Sequence, residues 1–296
     1  MLTRLSALIS VIRPRQIPKN LLVLVPLVVS GELTSTLGQS AETRQVALVL
    51  LAWIFASSSI YILNDLIDMK SDALDITRSS RPLASGELSR RNAILFLVVA
   101  SLFLTLAVQG ISRIQFQILL LYVVANVLYC IYFKRVPFWE MLIVSSGYAL
   151  RVLSGSTFVE RMPSSEFFLF IFFFALTIVA SKRISEYHRS EVIRRDVMKE
   201  YSNVSLLIVL SMSLCISVLS YATFAVQIMR EDELSFLAAT SLISSFLLIL
   251  IILLRMVNVA VKGELHSPEN LLVEDGFTRI HVILYIVAIS LFGNLR

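Results

Sequence analysis

Nine stretches of this chain are apolar over close to the length that carries a helix across a bilayer, and no other property restricts its fold as tightly. A spanning helix needs about 20 mostly apolar residues. Such runs cover residues 20–38, 45–63, 92–112, 115–133, 138–158, 165–181, 203–229, 234–257 and 279–295. In hydrocarbon every backbone amide must find its partner within the protein, so the runs predict an all-α integral membrane bundle of nine transmembrane helices. Composition agrees, with 57% of the 296 residues hydrophobic and 16% charged, where a soluble domain has about a quarter charged. The same balance excludes a disordered, fibrous or nucleic-acid-binding chain. Residues 2–12 hold too short an apolar run to span, and Arg13-Pro14-Arg15 follows without a small-residue cleavage site. Residues 1–19 are therefore expected as an interfacial amphipathic segment, not a signal peptide. Cys130 and Cys215 lie in apolar runs and read as small core residues.

Alternation of the nine runs sorts the cations. One side receives Arg4, Arg13, Arg15 and Lys19, then Lys70, Arg78, Arg81, Arg90 and Arg91, and the short link Lys134-Arg135. It also takes Lys182, Arg183, Arg189, Arg194, Arg195 and Lys199, with Arg255, Lys262 and Arg279. The other side keeps Arg44, Arg113, Arg161, Arg230 and Arg296, while Arg151 falls inside the fifth run. The positive-inside rule assigns the crowded side to the cytoplasm. That predicts a cytoplasmic N-terminus, an external C-terminus and multi-pass residence in the cell (inner/plasma) membrane. Residues 64–91, 182–202 and 258–278 form the long, charged connections, all on the cytoplasmic side, and such loops usually carry function. The alternative is that they are solvated connectors.

The second run leads directly into Asn64-Asp65-Leu66-Ile67-Asp68-Met69-Lys70-Ser71-Asp72. Asp65, Asp68 and Asp72 are spaced i, i+3, i+7, so on a continuing helix they share one face. Two carboxylates about 6 Å apart repel by about 3 kcal/mol at an effective dielectric near 20, so three on one stripe imply a compensating cation. Mg²⁺ takes hard oxygen ligands and bridges one or two carboxylates to substrate phosphates. Asn64 adds an amide oxygen beside them. Arg78 and Arg81 follow, and guanidinium groups grip phosphate oxygens in pairs. Carboxylates, Mg²⁺ and arginines together point to a diphosphate. The competing interpretation is a solvated helix end paired with Lys70 and Arg78, its loop arginines facing lipid headgroups.

Asn64-Asp65-x-x-Asp68-x-x-x-Asp72 followed by Arg81-Pro82-Leu83 resembles the first signature of the UbiA superfamily of intramembrane prenyltransferases. The resemblance spans essentially the whole chain. It implies one transmembrane domain over residues 1–296, nine helices around a cavity open to the cytoplasmic side, and Asp65, Asp68 and Asp72 as Mg²⁺ ligands with Asn64 beside them at the catalytic face. Members of the superfamily typically carry a second acidic motif after the sixth span. Here that place reads Ser181-Lys182-Arg183-Ile184-Ser185-Glu186-Tyr187-His188-Arg189. A cationic helix end binds additional phosphate directly, so the donor should be richer in phosphate than a prenyl diphosphate.

Lys182-Arg183-x-x-Glu186 resembles the decaprenyl-phosphate phosphoribosyltransferase branch, as do Arg13-Pro14-Arg15-Gln16 through Lys19-Asn20 and Ser145-Ser146-Gly147-Tyr148-x-x-Arg151. Where the branch has His-Pro, this chain has Asp75-Ile76. The resemblance implies phosphoribosyl diphosphate as donor and a polyprenyl phosphate lipid as acceptor. It implies that Lys182 and Arg183 hold donor phosphates, that Glu186 orients them or bonds ribose hydroxyls, and that Lys19 and Asn20 close the pocket. Lys134 and Arg135 would meet the acceptor headgroup, and Arg78 and Arg81 the diphosphate. A charge at mid-membrane costs about 2.5–3.5 kcal/mol to insert, so Arg151 is expected to face the polar cavity. Its alternative partners are Glu140 or a helix-end carbonyl.

Attack by a lipid phosphate that is already ionised requires no general base, and none stands out. His188, His266 and His281 share no spacing that suits zinc. Phe167, Phe168, Phe170 and Phe172 to Phe174 read either as a groove for the lipid tail or as core. A prenyltransferase joining a prenyl diphosphate to an aromatic acceptor is the main alternative, with Asp196 and Glu200 as a partial second acidic motif. A transporter would place charge at mid-membrane in several spans. Whether copies of the chain associate is not legible in the sequence.

Overall fold

The computed structural model describes residues 13–75, 78–188, 196–265 and 267–296. The interfacial helix expected over residues 2–12, and Ile76, Thr77, Arg189 and His266, lie outside the described residues.

Every regular element among the described residues is helical. The chain enters through a 3₁₀ helix, Pro14–Leu24, followed by α1 (Val25–Ser30) and α2 (Leu33–Gly38). Prolines lack an N–H donor, and Pro14, Pro18 and Pro26 with Gly31 at φ 78° divide this stretch into short pieces. The run over residues 20–38, expected as one span, is thus a broken segment.

Helix α3 (Ser40–Asp72) is 33 residues, about 50 Å long, and exceeds the roughly 30 Å of a bilayer's hydrocarbon. Its acidic C-terminal turns lie past its apolar section, so the expected loop at 64–91 starts as helix. The chain continues through α4 (Arg90–Val108), α5 (Arg113–Ile131) and α6 (Trp139–Gly155). Then come α7 (Ser165–His188), α8 (Asn203–Glu231), α9 (Phe236–Val261), the short α10 (Pro268–Glu274) and α11 (Gly276–Leu295). Side-chain caps set the starts: Ser89, Ser235 and Asp275 accept from the third helical N–H, and Ser112 and Ser202 form capping boxes.

Seven of these helices, α3, α4, α5, α7, α8, α9 and α11, are long and apolar enough to cross a membrane. Helix α6 has 17 residues, about 26 Å. The nine expected spans thus reduce to seven helices of full length, one short helix and one broken segment.

Helix α7 packs along α8, α9 along α11, and α3 along α4. Phe167 and Phe170 bury against Tyr221, Phe224, Leu242 and Phe292, with Phe168 and Phe174 partly buried beside them. Phe172 and Phe173 pack on a second cluster around Met141 and Leu206. The Phe-rich run is core, not an open groove. Cys130 is buried as expected, but Cys215 is exposed on α8. Two glycines let the broken segment approach its neighbours: a Cβ at Gly155 would overlap the Val23 carbonyl, and one at Gly293 the Val28 carbonyl.

Candidate functional site

The C-terminal turns of α3 hold Asp65, Asp68 and Asp72 on one stripe, the arrangement their spacing predicts. The burial of these carboxylates is uneven, with Asp65 at 3% and Asp72 at 1% exposure. Arg81 Nη1 bridges the two, 2.6 Å from Asp72 Oδ2 and 3.3 Å from Asp65 Oδ1. Arg13 also reaches Asp65, and Lys134 reaches Asp68. Arg78 lies between Asp72 and Asp75, at 3.7 and 3.4 Å. Every acid on the stripe is thus matched by a cation, one of them from the N-terminal segment.

Beside this stripe is a cavity of about 730 Å³. The 3₁₀ helix supplies Lys19, α3 supplies Asn64 and Asp68, and α6 supplies Arg151. Helix α7 supplies Lys182 and Arg183, and Arg78, Arg81, Lys134 and Arg135 come from the connections. These predicted residues are brought together. Asp65, Asp72, Asn20 and Glu186 are not among the lining groups and stand behind it. Asn20 therefore does not close the pocket: its side chain is buried, donating to Ser57 Oγ and accepting from Arg151 Nε.

Arg183 is paired with Glu186, its neighbour at i+3, and with a second carboxylate from another helix. It donates Nε to Glu140 Oε1 at 2.6 Å and Nη2 to Glu140 Oε2 at 3.1 Å, and pairs with Glu186 as well. Burying a guanidinium is costly unless carboxylates compensate it, which explains why both gather here. Glu186 is thus spent on Arg183. Arg151 meets neither Glu140 nor a helix-end carbonyl; it bonds Asn20, the carbonyl of Gly147 within its own helix, and Tyr122.

The carboxylates do not form a ready-made metal cage, since no three His, Cys, Asp or Glu side chains converge among the described residues. Asp65 and Asp72 share Arg81, while Asp68 is paired with Lys134. Asp72 Oδ1 is nevertheless buried with no hydrogen-bond partner. A hard oxygen that faces Arg78 at 3.7 Å without a hydrogen bond suits Mg²⁺, which needs only one or two carboxylates when phosphates complete its shell.

The sequence profile of the UbiA prenyltransferase family matches residues 23–262. The chain belongs to that family. Its helices superpose on a structure described as digeranylgeranylglyceryl phosphate synthase with TM-score 0.70 and 16% identity, over 98% of this chain and 99% of that one. A UbiA homolog from Archaeoglobus fulgidus bound to GPP and Mg²⁺ gives TM-score 0.66 at 18% identity, covering 94% and 98%. Among named relatives, the decaprenyl-phosphate phosphoribosyltransferase of Mycolicibacterium smegmatis is 28% identical over 97% of this chain and 92% of its own length. With its apolar helices, this UbiA family member is a multi-pass membrane protein.

Several cavity residues escape a sequence reading. Asn126, Tyr129 and Asn270 line the cavity beside Arg13 and Gln16 of the N-terminal motif, and Glu140 stands directly behind Arg183. Asn126 had a signal, an amide inside an otherwise apolar run. Asn270 had none, because nothing local marks the face it presents. Outside the spans, hydrogen bonds from Arg255 and Thr278 hold the Asp275 carboxyl at about 2, which anchors the loop before α11. Burial pushes the Tyr201 hydroxyl up to about 12, and that oxygen accepts from the Phe138 amide at 2.6 Å.

Proposed function

We propose that this protein transfers the 5-phosphoribosyl group from phosphoribosyl diphosphate to a polyprenyl phosphate and releases pyrophosphate. The observation that carries it is the make-up of one cavity. Its α3 wall has carboxylates and arginines suited to a diphosphate, while α7 contributes Lys182 and Arg183 where a second carboxylate cluster would serve a prenyl diphosphate. The name of the Mycolicibacterium relative supports the same reading.

In this reaction an acceptor phosphate oxygen attacks C1 of the ribose, and the C1–O bond to the diphosphate breaks with its electron pair leaving on pyrophosphate. Negative charge grows on the leaving group, so preorganised cations aimed at it lower the barrier most. Arg81 and Arg78 hold the leaving group, Lys134 and Arg135 receive the acceptor headgroup, and Lys182 binds the donor. Glu140 and Glu186 fix the direction of the Arg183 guanidinium. Asp65, Asp68, Asp72 and the Asn64 amide oxygen would hold Mg²⁺. When bound, Mg²⁺ supplies charge neutralisation at the diphosphate; the Archaeoglobus homolog's Mg²⁺ supports this assignment.

The nine-helix bundle is retained in this proposal by counting α6 and the broken N-terminal segment as the two remaining crossings. The cavity then opens to the cytoplasm, with the N-terminal segment on that face and α11 ending outside, in the plasma membrane. The chain acts as one transmembrane domain. The test is pyrophosphate release from phosphoribosyl diphosphate by purified protein, with and without polyprenyl phosphate and Mg²⁺. Release that depends on both supports the proposal. Label appearing in an aromatic product from a prenyl diphosphate, with none from phosphoribosyl diphosphate, overturns it.

A further inference from the structure

Arg151 is 4% exposed and has no carboxylate partner among the described residues. Its Nε donates to Asn20 Oδ1 at 2.9 Å, Nη1 to the Gly147 carbonyl at 2.7 Å and Nη2 to the Tyr122 hydroxyl at 3.1 Å. The guanidinium carbon lies 5.1 Å from the Trp53 ring centroid and 4.7 Å from that of Tyr122. All of these partners are neutral. The other buried arginine among the described residues, Arg183, meets Glu140 and Glu186. A buried cation without a counter-charge carries a large desolvation penalty, and a guanidinium has five N–H donors, of which these three bonds leave two.

The same residue lines the cavity with Lys19, Asn126 and Tyr148. Asn20, which orients Arg151, also bonds Ser57 on α3. Ser57 precedes Asp65 by eight residues on one helix, about 12 Å along its axis. The cavity therefore has two charged stations, the carboxylate-arginine stripe at the C-terminal turns of α3 and a buried arginine on α6 with no carboxylate beside it. A single ligand that satisfies both is anionic at two separated ends, and two ligands with one anionic end each satisfy them together. A prenyl diphosphate is hydrocarbon at its far end and by itself does not satisfy both.

We infer that Arg151, held by Asn20 and Tyr122, is a second anion-binding station of the cavity whose ligand is a phosphate monoester. The inference rests on the proposed phosphoribosyl transfer, in which two monoesters are at hand: the 5-phosphate of the donor and the phosphate of the lipid acceptor.

The probes are ribose 5-phosphate, geranyl phosphate and Mg²⁺-pyrophosphate, each titrated into purified full-length protein by calorimetry. Asn20→Asp is the decisive variant, because it places a carboxylate on the Arg151 guanidinium with almost no change in shape. It is expected to weaken one of the two monoesters by about tenfold or more, since an occupied counter-charge competes with the ligand. Mg²⁺-pyrophosphate affinity should change less than about twofold, as its site is the separate stripe at the C-terminal turns of α3. Arg151→Gln is expected to repeat the loss and Arg151→Lys to keep most of the binding, with melting curves confirming folded protein. Loss confined to ribose 5-phosphate assigns the station to the donor, and loss confined to geranyl phosphate assigns it to the acceptor. Equal monoester affinity in wild type and both charge-removing variants, or no monoester binding in wild type, overturns the inference. Failure of the proposed reaction reads differently: wild-type protein would then bind a monoester through Arg151 yet release no pyrophosphate from phosphoribosyl diphosphate.

Discussion

Arg183 on α7 grips Glu140 on α6 through two hydrogen bonds, Nε to Oε1 at 2.6 Å and Nη2 to Oε2 at 3.1 Å, with Glu140 fully buried. The pair joins two helices that both line the cavity and fixes a guanidinium at its wall.

Breaking this pair should be severe, because it removes the two-point carboxylate of a buried guanidinium and leaves Glu186 alone to compensate it. Glu140→Gln is expected to destabilise the fold by about 3–5 kcal/mol, read as a lowered melting temperature in detergent. The double variant Glu140→Gln, Arg183→Met should recover much of that stability without recovering pyrophosphate release. A double variant as active as wild type would show that Arg183 has no part in the site.

Arg81 bridges Asp65 and Asp72 and in the proposed reaction also faces the leaving diphosphate. Lysine keeps the charge but loses the planar fork. Arg81→Lys is therefore expected to lower the rate of pyrophosphate release by about a hundredfold while shifting the melting temperature only slightly.

Chelation of divalent cations should abolish pyrophosphate release, and added Mg²⁺ should restore it. Asp72→Asn should weaken binding of Mn²⁺, used as a spectroscopic substitute and followed by its paramagnetic signal, because Oδ1, which makes no hydrogen bond, is then replaced by a neutral amide oxygen or an NH2 group. Unchanged Mn²⁺ affinity would remove Asp72 from the ligand set.

Asp275 links Arg255 to the start of α11, and its carboxyl is held at about 2 against an ordinary value of 3.8. A carboxylate with a depressed native pKa binds fewer protons folded than unfolded, so its contribution is complete above the unfolded value. It is lost as pH falls from near 4 through about 2. Melting curves of wild type and Asp275→Asn should converge over that window and stay apart above it.

Gly293→Ala tests the close approach of α11 to the broken N-terminal segment. A Cβ there meets the Val28 carbonyl oxygen, which belongs to backbone and cannot swing aside. Loss of about 1–3 kcal/mol is expected, the usual cost of overpacking, together with weaker ligand binding as Asn20 shifts with the segment.

Much of the bundle was legible because spanning imposes a length and a composition that neighbouring residues satisfy by themselves. The acidic stripe was legible for a related reason. Asp65, Asp68 and Asp72 are turns of one helix, and their shared face follows from spacing once α3 continues. The run over residues 20–38 has the apolar content of a span, but Pro26 and Gly31 inside it divide it into short helices. Arg183 and Glu186 are three apart on one helix and so legible as neighbours, whereas Glu140 stands 43 residues away in the chain.

The amino-acid order by itself determined a membrane-spanning helical bundle and the one helix face shared by Asp65, Asp68 and Asp72. Each of these depends on interactions within a few residues or on transfer of a segment into hydrocarbon. Only the tertiary structure decided which cations remain uncompensated. Arg183 is neutralised by a carboxylate from α6, whereas Arg151 is held by Asn20 from 131 residues earlier and keeps its charge. The two arginines are alike in sequence. Folding separates their roles, because the energy of a buried charge is set by whatever other segments bring beside it.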